Sequence, residues 1–330
     1  VGVENMNEIE YYIKNTKVSK AEIENNIAHP ITGKKYPNRT LFVLLRKYAN
    51  DFFKSGSEPR FIGIAGLRGV GKTTLMWQVA NELYKQFPNS IYFFNVNTIT
   101  NLNSNLQEAL TLFQKHILQK KFIENNNPLI LLFDEAHDDP NWAKTMKILY
   151  DEAKTAFIIC TGSSALLLQQ TADLARRIRI EKLYPFRFIE FITAKTFYEN
   201  EQTIFPVKGL SNKLQEIYFY SNDIKEVSLA IENVKKDIEN YFNELTSINR
   251  IDNIDNLITE YIKYHNIPAF LLFKEKTTIL ESALSLFSRI IYEDAIKINN
   301  QINSVNALKI LIRLAGSDEI NLNSLSQTLS

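Results

Sequence analysis

Phe61-Ile-Gly-Ile-Ala-Gly-Leu-Arg-Gly-Val-Gly-Lys-Thr-Thr74 places four of the chain's ten glycines, Gly63, Gly66, Gly69 and Gly71, within nine residues. Its first five residues read as a strand, and Leu75 to Tyr84 as the helix that follows. Gly66 to Thr73 fills the phosphate-loop pattern G-x-x-x-x-G-K-[S/T] between them. Glycine opens backbone conformations closed to other residues, so the N–H groups of about Gly69 to Thr74 can converge on phosphate oxygens at a helix N-terminus. Arg68 and Val70 belong to the same cradle, Lys72 reaches the β- and γ-phosphates as a point charge, and the Thr73 hydroxyl completes the coordination of a Mg²⁺ that keeps several waters.

A second segment narrows the reading. Leu129-Ile-Leu-Leu-Phe133 is a continuous apolar run of the length of a buried parallel strand, and Asp134-Glu135 ends it. In such sheets ligands sit at the carboxyl ends of strands, which brings both carboxylates to the phosphate loop. Asp134 suits the Mg²⁺ through water, and Glu135 suits the orientation and activation of an attacking water. The competing reading of Glu135 is a cap on the helix that begins near Asp138, Asp139 and Pro140. His137 reads as a polar neighbour of the site.

Composition sets the outer bounds. The chain has 330 residues, 45% of them hydrophobic and 23% charged, as in ordinary globular proteins. A net charge of +1, from 38 basic and 37 acidic residues, advertises no bulk attraction to nucleic acid or to an anionic membrane. Neither an apolar stretch of about 18 residues nor a signal peptide is present, so the expected location is cytoplasmic, with no membrane contact. The single cysteine, Cys160, lies in an apolar run and reads as core. Four scattered histidines offer no zinc spacing.

Beyond the loop, Ile91–Asn95, residues 129–133, Phe157–Cys160 and Ile178–Leu183 read as four more strands alternating with helices, which predicts a parallel sheet covered on both faces. Residues 1–39 read as polar and irregular, and a helix is expected from Thr40. From Pro185 onward helices dominate. Ile224, Val227, Ile231, Val234, Ile238, Tyr241 and Leu245 repeat at three- and four-residue steps, a seam read as packing within a helical domain rather than as an oligomerisation helix. Thr161-Gly-Ser-Ser164 closes the fourth strand. A hydroxyl of Thr161 or Ser163 there can bond the attacking water or γ-phosphate, and capping of the next helix is the equal alternative. Arg176 and Arg177 precede the fifth strand, where an arginine can reach a neighbouring subunit's nucleotide, or where the pair is simply a solvated basic edge.

The ordered set Gly66 to Thr74, Leu132-Phe-Asp-Glu-Ala136, Thr161 to Ser164, Leu174-Ala-Arg-Arg177 and Leu183-Tyr-Pro-Phe-Arg-Phe-Ile-Glu-Phe191 resembles the archaeal-type prokaryotic P-loop ATPases of the AAA+/STAND-related group. The resemblance implies an ATPase core, a helical lid and a winged helix, and it aligns Arg177 with the family's arginine. Glu260-Tyr-Ile-Lys-Tyr-His-Asn-Ile-Pro268 is similar to the family's lid segment, with His265 and Asn266 where two glycines are usual. The expected fold class is therefore α/β, a five-stranded parallel AAA+-like core followed by an all-α lid and a partial winged helix. The expected division is an extension over 1–39, the core over 40–195, the lid over 196–300 and a truncated winged-helix start over 301–330.

The expected function is a Mg²⁺-dependent ATP-binding and ATP-hydrolysing switch, a homo-oligomer acting on a protein or DNA partner. Its alternatives are a nucleic-acid module whose docking ATP controls and, third, a small-molecule kinase. ATP is favoured over GTP because no Asn-Lys-x-Asp guanine signature is present. The adenine-contacting residues are expected before the core and in the lid, without names.

Overall fold

The computed structural model describes residues 7–162, 172–200, 217, 221, 223–248, 254–294 and 303–316. Five parallel strands, β1 (Phe61–Ala65), β2 (Ile91–Asn95), β3 (Leu129–Asp134), β4 (Ala156–Gly162) and β5 (Arg179–Lys182), stand in the order β2-β3-β4-β1-β5. Every residue of β1, β3 and β4 is buried, as their unbroken apolar runs require of central strands covered on both faces.

Alternation along each strand divides the core in two. Leu129, Leu131, Phe133, Ile158 and Cys160 face one way, against the helices Leu106–Phe113 and Trp142–Glu152. Ile62, Ile64, Ile130, Leu132 and Ile159 face the other, against α3 (Thr40–Ser55) and α4 (Lys72–Tyr84). Because β1 lies between β4 and β5 while β3 lies beside β4, the ends of β1, β3 and β4 open at one edge of the sheet.

The N-terminal segment is not irregular. Helices α1 (Glu8–Lys14) and α2 (Lys20–Asn26) sit on opposite faces of the sheet, burying Ile9 and Ile13 in one core and Ile23 in the other. Between them, Val18 N–H donates to Ile91 O at 3.0 Å and Phe93 N–H to Thr16 O at 2.8 Å, so the chain covers the exposed edge of β2. Polar composition concealed two short amphipathic turns, the second with a Ser19/Glu22 capping box.

After β5 the described residues are helical. Phe188–Asn200 packs Phe191 and Ile192 with Leu257 of the helix Ile254–Glu260 in a third, small core. The seam from Ile224 lies on a 25-residue helix, Ile224–Ile248, of which Val234 is buried while Ile224 and Ile231 are exposed. The substitutions in the lid segment need no special backbone: Tyr261–His265 is a π turn and Asn266 has φ −70°. His265 stacks on Phe191, and its Nδ1 lies 3.2 Å from Glu260. The helix Ser304–Ala315 carries the expected C-terminal amphipathic pattern; the rest of the winged-helix reading lies outside the described residues. Among the described residues no helix is long and apolar enough to cross a membrane.

Candidate nucleotide site

The loop after β1 closes onto α4 through two left-handed glycines, Gly69 (φ +80°) and Gly71 (φ +88°). At Gly66 the constraint is space, since a Cβ would lie 2.2 Å from the carbonyl oxygen of Leu183. Lys72 is buried at the first position of α4, its Nζ 3.2 Å from both Gly66 O and Leu67 O. Thr73 Oγ1 donates to Asp134, 2.9 and 3.1 Å from its two carboxylate oxygens. Across the sheet, Thr161 Oγ1 donates to Asp134 Oδ1 at 2.6 Å and accepts the Glu135 N–H at 2.9 Å. One loop and the ends of β3 and β4 therefore interlock through Asp134.

Glu135 holds a left-handed backbone (φ +52°) at the start of the turn Ala136–Asp138, and its side chain makes no capping bond there. A non-glycine residue at positive φ costs about 1–2 kcal/mol, a strain that concentrates at functional sites. Its carboxylate lines the cavity that the phosphate loop opens into. Burial pushes its pKa above the usual carboxylate value, Lys72 pulls it back, and the charge of Asp134 raises it again. His137 is buried behind it, with Nδ1 3.4 Å from Glu135 Oε2. The donor set suits Mg²⁺: Thr73 and Asp134 offer hard oxygens already drawn together, and Mg²⁺ takes one or two carboxylates and completes its shell with phosphates and water.

Arg68, Val70, Thr73 and Thr74 also line the cavity, while Ser163 lies outside the described residues. Arg177 is not in it. It precedes β5, whose Arg179 is level with Ile62 at the start of β1. The loop lies beyond the other end of that strand, some 20 Å away at about 3.3 Å per residue. There Arg177 makes a bidentate pair with Asp151 through Nε at 2.9 Å and Nη2 at 3.0 Å.

The other end of the cavity, whose volume is about 770 Å³, carries the residues that sequence reading left unnamed. It is walled by Tyr36, Pro37 and Arg39 before the core, Gln78 of α4, Phe186 and Tyr198 after β5, and the helical region from Pro268 to Arg289. Arg39 organises this end. Its Nη1 donates to Val70 O at 2.8 Å, its Nη2 to Tyr184 O at 2.8 Å and to Glu190 Oε2 at 3.0 Å, and its guanidinium lies 4.8 Å over the Phe186 ring. Glu190 also accepts from the Thr40 N–H and hydroxyl and from the Arg187 N–H. The C-terminal helical region closes the arrangement: Ala269 N–H donates to Gly69 O at 3.1 Å, and Phe186 N–H to Asn266 O at 2.6 Å. The one sequence signal for these contacts was the pair of segments around Glu190 and Glu260 in the family resemblance.

Residues 58–192 match the family model described as AAA domain. The chain is 27% identical over 284 residues to the uncharacterized protein MJ1637 of Methanocaldococcus jannaschii, covering 84% of this chain and 54% of that protein. It thus spans about half the length of that curated relative. Among solved structures, a Walker-type ATPase of Pyrococcus abyssi matches at 16% identity and TM-score 0.34, over 87% of each chain. The RuvB branch-migration motor of Thermotoga maritima matches at 13% and 0.38, over 89% of this chain and 82% of that one.

Proposed function

We propose that this chain, whose residues 58–192 are an AAA domain of the P-loop ATPase class, binds ATP with Mg²⁺ in the cavity between the strand ends and the lid and hydrolyses it to ADP and phosphate. The observation that carries the reading is Glu135, held in a left-handed turn on the cavity wall beside Asp134 and opposite the phosphate loop. In this reading the loop N–H groups and Lys72 bind the β- and γ-phosphates, with Gly66, Arg68, Gly69, Val70, Gly71 and Thr74 shaping the cradle. Thr73 and Asp134 would hold the Mg²⁺, which would supply neutralisation of the charge on the phosphates. Glu135 accepts a proton from the attacking water as its oxygen bonds to the γ-phosphorus and the bond to the β–γ bridging oxygen breaks. Thr161 tethers Asp134 and the Glu135 backbone so that both carboxylates keep their stations.

Ser163, outside the described residues, keeps the role that the sequence gives it, a hydroxyl that bonds the attacking water or the γ-phosphate. Arg177 serves a neighbouring copy in this reading; its distance from its own loop supports that role, and release from Asp151 is part of assembly. The domains follow the division 1–39, 40–195, 196–300 and 301–330, and the lid carries the nucleotide state to a protein or DNA partner. Support for that coupling is the direct bond between Ala269 of the lid and Gly69 of the loop.

The test is phosphate release and nucleotide binding by the Glu135→Gln variant. Loss of a general base slows turnover by about 10²–10⁴-fold, with ATP affinity retained. A variant that hydrolyses ATP as fast as the parent removes Glu135 from the mechanism.

A further inference from the structure

Three residues that wall the base end of the cavity, Arg39, Gln78 and Tyr198, each bury a polar side-chain atom that finds no partner in the protein: Arg39 Nε, Gln78 Oε1 and Tyr198 Oη. The other such atoms among the described residues belong to histidines, each with a carboxylate within 4 Å. Buried polar groups are almost always paired, so a cluster of unpaired ones on one cavity wall calls for a partner from outside the chain.

Gln78 is the most constrained of the three. It lies one helical turn beyond Thr74, so both side chains lie on the cavity face of α4. Its Nε2 donates to Tyr36 O at 3.0 Å and to Pro37 O at 3.3 Å. An amide turned the other way would set its oxygen against two carbonyl oxygens, so the two bonds fix which atom is the acceptor. Each of those carbonyls accepts one bond and keeps a second lone pair, whereas Gln78 Oε1 is an acceptor with no partner at all, and Arg39 Nε, a donor only, is the complementary group.

An acceptor paired with a donor matches one class of purine edge. Adenine presents an amino donor at position 6 beside ring-nitrogen acceptors, whereas guanine presents an oxygen acceptor at that position. A 6-oxo group brought to Gln78 Oε1 meets another acceptor.

We infer that Gln78 is a specificity-determining residue that accepts a hydrogen bond from the 6-amino group of the bound base, so that the cavity selects 6-amino over 6-oxo purine nucleotides. The assignment rests on the nucleotide-binding reading above and adds to it the residue that chooses the base. It also supplies a positive reason for ATP over GTP, where the sequence offered only a missing guanine signature.

Titration calorimetry of the full chain with ADP, inosine diphosphate and purine riboside diphosphate, which has hydrogen at position 6, tests it. ADP binds about 10–100-fold more tightly than the other two, the discrimination of a well-placed base contact. Gln78→Met, which keeps the side-chain length, brings the three affinities within about threefold of one another. Equal affinities in the parent chain, or an unchanged preference in Gln78→Met, overturn the assignment while leaving nucleotide binding intact. No binding of any of the three overturns the nucleotide reading itself. The parent chain's ranking decides even if the variant fails to fold.

Discussion

The two ends of one cavity are built in different ways. At the phosphate-loop end the polar groups come from contiguous motifs at strand ends: Lys72 and Thr73 after β1 and Glu135 after β3 line the cavity, and Asp134 at the end of β3 and Thr161 near the close of β4 stand bonded behind them. At the base end the wall is assembled from the segment before the core, α4, the residues after β5 and two pieces of the lid, spread from Tyr36 to Arg289. The first end is held by the sheet, whose hydrogen-bonded register leaves no freedom in where the strand ends stand. The second is held by side chains, above all Arg39 and Glu190. In the proposed function, chemistry that must not move is mounted on the sheet, and recognition that must admit and release a ligand is mounted on joints.

The largest effect comes from breaking the joint. Arg39→Met leaves Glu190 buried without its cation and frees the carbonyls of Val70 and Tyr184. Removal of one partner of a buried pair costs about 3–5 kcal/mol, so chemical denaturation finds this variant the least stable of those discussed, and nucleotide affinity falls with it. A methionine variant as stable as the parent dissolves the distinction between sheet-mounted and side-chain-mounted ends. The same pair sets a pH dependence. Burial pushes Glu190 up, but the Arg39 guanidinium and the Arg187 and Thr40 N–H groups outweigh it and hold its pKa below the usual carboxylate range. A depressed folded-state pKa stabilises the fold above the unfolded value of about 4.3, and that stabilisation disappears as pH falls from there through the depressed value. Melting temperature followed from pH 6 down to about 3 therefore drops more steeply in the parent than in Glu190→Gln.

Next in size is Lys72→Ala. It removes a cation aimed at the phosphates and leaves the base wall untouched, so hydrolysis falls by about 10²–10³-fold, the effect of losing one preorganised donor. The diagnostic measurement is the ratio of affinities for ADP and inosine diphosphate. If the two ends act separately, overall affinity weakens and the ratio stays; a ratio that collapses with Lys72 ties base selection to the phosphate loop.

The difference between the ends also explains what the sequence made legible. The five parallel strands and the loop between β1 and α4 follow from apolar runs and a short motif whose meaning is local, whereas the order β2-β3-β4-β1-β5 and the bonds of Thr73 and Thr161 to Asp134 depend on contacts between distant segments. Gln78 carried no signal, because a glutamine about two turns into a helix looks like surface until Tyr36 and Pro37 are seen against it. Ala269 was invisible for a different reason: it contributes a backbone N–H, and any residue but proline has one. The docking of α1 and α2 escaped notice because Ile9, Ile13, Val18 and Ile23 are too few to mark a pattern, although together with the β2 edge they close both cores.

The smallest effect probes the seam where the two ends meet. Gly69 and Gly71 both hold left-handed backbone, so alanine at either carries a conformational cost of about 1–2 kcal/mol. A Cβ on Gly71 meets nothing within 4 Å, whereas one on Gly69 lies 3.2 Å from Ile267 Cγ2 and 3.3 Å from Ala269 Cβ, against the lid. Overpacking of this kind adds about 1–3 kcal/mol where the neighbours cannot yield. The neighbours here are a lid held to the loop by the Ala269 to Gly69 bond, so Gly69→Ala melts below Gly71→Ala when the two are compared without nucleotide. Equal melting temperatures mean that the lid yields freely and that its bond to the loop contributes little to stability. A lower value for Gly69→Ala means that the loop and the helical region are packed too closely to yield, the rigid contact that the proposed coupling of phosphate state to the helices beyond requires.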